Sequence, residues 1–119
     1  MMRRTTIAAT AMLAGCVSTG VVDFDQRANQ VQPGMKVAEV AAIMGTPKNR
    51  QFSGRQEALQ WCETSYMSGS ADSYFVGYFY DGALIATSTY RNRARGTCES
   101  FFQPIQWIPP DRIIELRHR

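Results

Sequence analysis

The sequence predicts an α+β domain in which two short N-terminal helices pack on one face of a three-stranded antiparallel β-meander. Three observations indicate this class. Apolar residues recur at helical spacing between Val37 and Met44, three later runs are rich in aromatic and β-branched residues, and Asp81-Gly82 separates two of those runs. At 119 residues, the chain has room for one compact domain.

Residues 1–15 have the pattern of a secretory signal peptide: a basic start, a short apolar run and small residues at its end. The run is much shorter than the roughly 20 residues that a helix needs to cross a bilayer, so it targets the chain without spanning a membrane. The letters LAGC, which end at Cys16, resemble the lipobox of bacterial lipoproteins. That resemblance implies cleavage before Cys16 and lipidation of its thiol. The alternative is an ordinary signal peptide with a chance cysteine after it.

Removal of this segment changes the charge of the chain. The full sequence has 13 basic and 10 acidic side chains, a net charge of +3, and two of the basic ones are Arg3 and Arg4. The mature chain is therefore close to neutral, and export argues against nucleic acid as a partner. Val17 follows the cysteine where aspartate would signal inner-membrane retention in Gram-negative cells. By resemblance to that sorting rule, residues 16–23 are a tether to the periplasmic face of the outer membrane.

Two helices are predicted after the tether. The first is a short irregular or helical segment around residues 24–29. The second lies within PGMKVAEVAAIMGTPK, where Pro33-Gly34 precedes the apolar stripe and Gly45 with Pro47 ends it. A helix of about three turns is marginal alone in water, so its apolar stripe must pack on another element.

The three predicted strands are residues 58–67, 73–80 and 83–92. A two-residue loop at Asp81-Gly82 places Phe79 opposite Leu84 and sorts the side chains by alternation. One face is small and apolar, suited to the helices, and carries Phe75, Gly77, Phe79, Leu84 and Ala86. The other face is amphipathic and carries Tyr74, Val76, Tyr78, Tyr80, Ala83, Ile85 and Thr87.

A C-terminal tail begins at about residue 99. Pro104, Pro109 and Pro110 exclude a long helix or a central strand there. An extended segment over residues 112–117 could add an edge strand, which would make the sheet four-stranded.

The sequence resembles the BamE (SmpA/OmlA-like) family of small outer-membrane lipoproteins at several of these positions. The resemblance covers roughly residues 24–92 and is carried by Gly34-Met35, Val40, Met44-Gly45-Thr46-Pro47, Trp61 and Phe79-Tyr80-Asp81-Gly82-Ala83-Leu84. It implies a helix-on-sheet domain over residues 24–119, lipid anchorage in the outer membrane and an accessory role beside the β-barrel assembly machinery. The same plan, again by resemblance, serves β-lactamase-inhibitor-like proteins. The tail and a cysteine pair depart from the family pattern.

That pair is Cys62 and Cys98. If Cys16 is lipidated, these two of the three cysteines remain, in a compartment where disulfides persist, so a disulfide is predicted. The alternatives are two free buried thiols or a redox-active pair. The latter is disfavoured because the sequence has no CxxC spacing.

Residues for catalysis or metal binding are scarce. The one histidine, His118, lies next to the end of the chain, and no cluster of His, Cys or carboxylates has metal-ligand spacing. Asp23 and Asp25 are more typical of surface charges than of an acid pair. The sequence therefore predicts no enzyme, no cofactor and no metal.

Two groups of residues are candidates for binding a partner. The tyrosines of the amphipathic face are one, since tyrosine is enriched at interfaces, unless the tail folds over them. A basic run is the other, as a contact for anionic headgroups or an acidic protein, unless it is a solvated turn. The candidates are Tyr74, Tyr78, Tyr80, Arg91, Arg93 and Arg95.

The predicted function is thus a non-catalytic envelope lipoprotein that acts as a protein-interaction or scaffold module, in outer-membrane protein assembly or envelope integrity. The alternative is a periplasmic binding or inhibitor-like module that acts on an enzyme or a cell-wall ligand.

Overall fold

The computed structural model describes residues 23–65, 71–93 and 96–117. In these residues the chain forms one antiparallel sheet whose strands follow each other in sequence order. The strands are β1 (Asn49–Ser53), β2 (Gln56–Glu63), β3 (Asp72–Tyr80) and β4 (Ala83–Asn92). The helices are α1 (Phe24–Asn29), α2 (Val37–Met44) and α3 (Pro110–Arg117), with a 3₁₀ turn over Cys98–Phe101. The predicted α+β class with an antiparallel sheet is confirmed.

Several predictions fall outside the described residues. They concern the signal peptide over residues 1–15, the lipidation site Cys16, the tether as far as residue 22, Arg95 and His118.

Helix α1 begins where Asp23 caps it. The Asp25 backbone N–H donates to Oδ1 of Asp23 at 2.8 Å, which satisfies a donor that the first turn leaves free. The next residue, Phe24, is 5% exposed and inserts into the core. The cap and this aromatic side chain fix the first turn of α1 against the core.

Helix α2 ends at a contact with the sheet. Gly45 has φ +88°, a conformation that glycine adopts without strain, and its N–H donates to the Ala41 carbonyl at 2.8 Å. Its own carbonyl accepts a 2.7 Å hydrogen bond from Nε1 of Trp61 in β2. Gly45 and Trp61, which lie on different elements, are therefore parts of one arrangement that ends the helix.

The sheet has one strand more than the three predicted from the sequence, and that additional strand is β1. The prediction of an edge strand over residues 112–117 is wrong. Residues 112–117 belong to α3, which starts at Pro110, a position where the missing proline N–H costs no helical hydrogen bond. Strand β1 pairs with β2 through a two-residue turn at Gly54-Arg55, where Gly54 has φ +59°. The sheet thus gains its extra strand on the β2 side.

The β3–β4 hairpin has the predicted turn and the predicted opening register, with Tyr80 opposite Ala83 and Phe79 opposite Leu84. The register then shifts at Tyr78, which faces Ala86 because β4 holds one extra residue there. The predicted placement of Ala86 on the helix-facing side is wrong for this reason. Ala86 packs with the cluster on the opposite face.

Two apolar clusters lie on the two faces of the sheet. The cluster on the helix side consists of Phe24, Val40, Met44, Leu59, Trp61, Phe75, Phe79 and Leu84. The cluster on the other side consists of Ala58, Val76, Tyr78, Ile85, Ile108 and Ile113. The second cluster contains residues of the tail, so the sheet is the middle of three layers.

Candidate functional site

The tail covers most of the face that carries the tyrosines. Tyr74 is 1% exposed and Tyr78 is 7% exposed, because residues 98–113 run over them and pack Ile108 and Ile113 against the sheet. A partner cannot reach these two side chains while the tail is in place. Of the two alternatives for this face, a binding surface or a face covered by the tail, the structure has the covering tail at Tyr74 and Tyr78. Among the predicted tyrosines, Tyr80 alone stays partly exposed.

Two side-chain amides of β2 bind the backbone of the tail through hydrogen bonds. Gln56 makes a reciprocal pair with Ile108: its Nε2 donates to the carbonyl at 2.9 Å and its Oε1 accepts from the N–H at 3.1 Å. Gln60, fully buried, donates from Nε2 to the Gln103 carbonyl at 3.3 Å and accepts from the Tyr90 hydroxyl at 2.9 Å. These two side chains thus satisfy backbone N–H and C=O groups of the tail, which would otherwise need a paired strand.

The start of the tail is fixed covalently. Cys62 and Cys98 form a disulfide with Cα atoms 6.0 Å apart, the pairing that the cysteine count predicts. Beside it, the Tyr74 hydroxyl donates to the Cys98 carbonyl at 2.9 Å, and the Cys98 N–H donates to Oγ1 of Thr64 at 3.0 Å. Tyr74 also stacks on Tyr90, with ring centroids 4.5 Å apart.

Burial raises the pKa of Tyr74, Tyr78 and Tyr90 above the ordinary tyrosine value. For Tyr74, the nearby carboxylate of Asp72 raises the pKa further. At alkaline pH the folded chain therefore holds protons that the unfolded chain has already released.

We expect the free energy of unfolding to be constant with respect to these tyrosines below pH about 10 and to fall above it. The Tyr78→Phe variant should show a shallower fall, because one raised pKa is removed. Urea unfolding followed by circular dichroism at several pH values measures both slopes. Equal slopes for the two proteins would contradict the assignment to Tyr78.

The predicted basic run does not form one patch within the described residues. Arg91 forms an ion pair with Asp25 of α1, with Nη2 and Oδ2 2.8 Å apart. Arg93 is exposed, and Arg95 lies outside the described residues. Arg91 thus has a structural role in tying α1 to β4. An exposed pair of this kind contributes about 0–1 kcal/mol.

The partly exposed candidate, Tyr80, lies at the other end of the sheet, in a groove of about 440 Å³ between the β1–β2 turn and α3. We call this the Tyr80 groove, and its principal residues are Arg55, Tyr80, Pro110, Ile113, Ile114 and Arg117.

Two guanidinium groups flank the Tyr80 ring. Arg55 lies 5.0 Å and Arg117 4.8 Å from the ring centroid, both within the range of cation–π attraction. Arg55 is also held by Asp81, through Nε to Oδ1 at 2.7 Å and through Nη2 to Oδ2. The turn that makes the β3–β4 hairpin therefore also orients one wall of the groove.

Three residues of the groove were not among the predicted site residues: Arg55, Ile114 and Arg117. Arg55 lies 26 positions from Asp81, and no local pattern links the two. The exposure of Ile114 had one signal in the sequence. Ile113 and Leu116 are three positions apart, as on one face of a helix, and Ile114 lies outside that apolar stripe of α3.

Within the described residues, no group of three His, Cys, Asp or Glu side chains is arranged as a metal site. No helix over the same residues has the length and apolar character of a membrane span. The two carboxylates considered from the sequence have separate structural tasks, since Asp23 caps α1 and Asp25 pairs with Arg91.

Comparison of the chain with protein-family models, with curated proteins and with solved structures finds no match.

Proposed function

We propose that this chain is a non-catalytic envelope lipoprotein that acts as a protein-interaction or scaffold module, as an accessory in outer-membrane protein assembly or envelope integrity. In this proposal Cys16 carries the lipid and holds the domain on the periplasmic face of the outer membrane. The proposal includes a BamE-like arrangement, with two helices on one face of the sheet, which the burial of Phe24, Val40 and Met44 supports.

The observation that carries the proposal is that α1 and the Tyr80 groove lie at opposite ends of the sheet. Helix α1 contacts the end of β4 through Asp25 and Arg91, next to the start of β3. The groove surrounds Tyr80, the last residue of β3. The distance along β3 between Tyr74 and Tyr80 is about 20 Å at the usual rise of a strand. A domain tethered at α1 would present the groove away from its anchor.

The length of the tether fits this arrangement. Cys16 precedes Asp23 by seven positions, which span at most about 25 Å when fully extended. An acylated Cys16 would therefore keep α1 near the membrane surface. Two or more acyl chains would make that attachment stable.

The filled faces of the sheet support an interaction role over a catalytic one. Within the described residues, elements of the chain itself pack on both faces of the sheet and bury its central side chains. Surface grooves near the ends of the strands remain, and the Tyr80 groove is lined by residue types that are frequent at protein interfaces.

We expect Cys16→Ser to abolish the lipidated mature form and to leave either an unprocessed chain or a soluble product. Fractionation of cell envelopes and the mass of the product measure this. Solubilisation of the wild-type membranes in detergent should then recover barrel-assembly components with the chain.

A matched control is Ser18→Ala, which changes a neighbouring residue and keeps the thiol. Normal fractionation and mature mass for Cys16→Ser would refute the lipid anchor. Recovery of a soluble enzyme or of peptidoglycan in place of barrel-assembly components would favour the binding or inhibitor-like alternative.

A further inference from the structure

We propose that the Tyr80 groove binds an extended segment of a partner protein that carries an apolar side chain close to a carboxylate. The inference rests on the proposed interaction function and specifies its surface and the chemistry of the partner. Three observations support it: exposed apolar area, a cation that has no ion pair among the described residues, and a shape that continues past Tyr80.

The apolar part of the groove is formed by α3. Ile113 is 6% exposed and belongs to the core, whereas its neighbour Ile114 is 62% exposed and lines the groove together with Pro110. Among the described residues, Ile114 is one of three large apolar side chains that are markedly exposed. Covering it would remove apolar surface from water, and this favours binding.

The charge in the groove is uneven. Asp81 compensates Arg55, but Arg117 forms no ion pair with any carboxylate of the described residues. Arg117 is held over the Tyr80 ring, so its guanidinium group is partly ordered before a partner arrives. A carboxylate that arrived beside an apolar side chain would complement this cation and the neighbouring isoleucine together.

The shape indicates an extended segment. A second groove, of about 320 Å³, lies on the other side of Tyr80 and shares Tyr80 and Arg117 with the first. It continues past Leu116 to Gly34, close to the start of β4. A single extended polypeptide could cross Tyr80 and occupy both grooves, which a compact small molecule would not do.

A polypeptide also fits the location better than a membrane does. In the proposed orientation the groove lies at the end of the sheet remote from the anchor. Within the described residues, the charge in the groove that has no ion pair is one guanidinium group, whereas attraction to anionic lipid grows with the number of basic residues. A soluble or periplasmic segment of a protein is therefore the occupant to which the proposal commits.

The test uses the full chain in detergent and a phage library of random 12-residue peptides. Enriched peptides should contain Asp or Glu within a few positions of Leu, Ile, Phe or Trp. Fluorescence polarisation with those peptides should show binding weakened about tenfold by Ile114→Ser and by Arg117→Glu. Arg112→Glu makes the same charge change at an exposed position of α3 outside the groove and should leave binding unchanged.

Four outcomes would overturn the inference. The first two are that no peptides are enriched, or that the enriched peptides lack a carboxylate. The third is that the peptides bind Ile114→Ser as tightly as the wild type. The fourth is that Arg112→Glu weakens peptide binding as much as the groove variants do. A dimer in sedimentation that Ile114→Ser dissociates would assign the groove to a second copy. Binding to phosphatidylethanolamine–cardiolipin vesicles that Ile114→Ser abolishes would assign it to the membrane.

These results are separable from those for the proposed function. Cys16→Ser tests the anchor through fractionation and mass, and the outcome does not depend on the groove. If the anchor and the recovery of envelope proteins hold while the peptides fail, the partner binds elsewhere on the domain.

Discussion

Val40→Asp is expected to unfold the domain. Val40 is fully buried in the cluster between α2 and the sheet, where a carboxylate would lose its water among apolar side chains. An unpaired charge in such a position costs several kcal/mol, and the loss of the valine packing adds to it. Domains of this size are stable by about 5–15 kcal/mol, so most of that stability would be lost. Thermal unfolding followed by circular dichroism measures the change.

Ala42→Asp is the matched control for this variant. Ala42 lies on the same helix at an exposed position, so the same aspartate there stays in water. We expect its melting curve to lie close to that of the wild type. A cooperative transition of Val40→Asp at the wild-type temperature would mean that this face of α2 does not pack on the sheet.

Replacing both Cys62 and Cys98 by serine is expected to have the second-largest effect. The disulfide closes a loop with a sequence separation of 36. In the chain-entropy model, a loop of this length corresponds to about 4 kcal/mol of stabilisation. Urea unfolding of the wild type and the double variant, without reductant, gives the difference in the free energy of unfolding.

The same variant is also expected to loosen the start of the tail. Cys98 accepts from the Tyr74 hydroxyl and starts the tail, so amide hydrogen exchange at the Gln103 N–H, which is bonded to the Tyr90 hydroxyl, should become faster. Adding reductant should destabilise the wild type and leave the double variant unchanged. Two titratable thiols in the denatured, unreduced wild type would show that the bridge is absent.

The β3–β4 hairpin was predictable because the signal is local. Asp81 and Gly82 both take positive φ, at 50° and 81°, and residues of these types are the ones that tolerate it in a two-residue turn. The bulge in β4 had no such signal. Ile85 and Ala86 are both apolar, so either register gives an acceptable alternation, and tertiary packing decides between them.

Strand β1 and helix α3 were not predicted for a related reason. Strand β1 reads NRQFS and is mostly exposed, so it lacks the alternation of a half-buried strand. The segment of α3 is short enough that its apolar pair suits a strand or a helix. Its contacts with Tyr78 and Ile85, on distant parts of the chain, favour the helix.

The candidate site was predictable only in part. Tyr80 was identified from its residue type and its strand, whereas Arg55 and Arg117 reach it from a turn and a helix that are distant in sequence. Tyr74 and Tyr78 have the same residue type and lie on the same face as Tyr80, but the tail covers them. Whether a tyrosine is a surface residue thus depended on the path of residues 98–113, which local pattern does not reveal.

The three-layer arrangement restricts how this domain can evolve a new partner. Side chains in the middle of β2 and β3 pack against the helices on one face and against the tail on the other. Most substitutions there would therefore lower the stability of the domain, and selection would remove them before they could change partner recognition. Variation with little cost to folding is confined to turn positions without a positive φ, the outer edges of β1 and β4, and the exposed side of α3. Lineages that diverge in partner choice should therefore differ at these positions while the interior of the sheet drifts slowly.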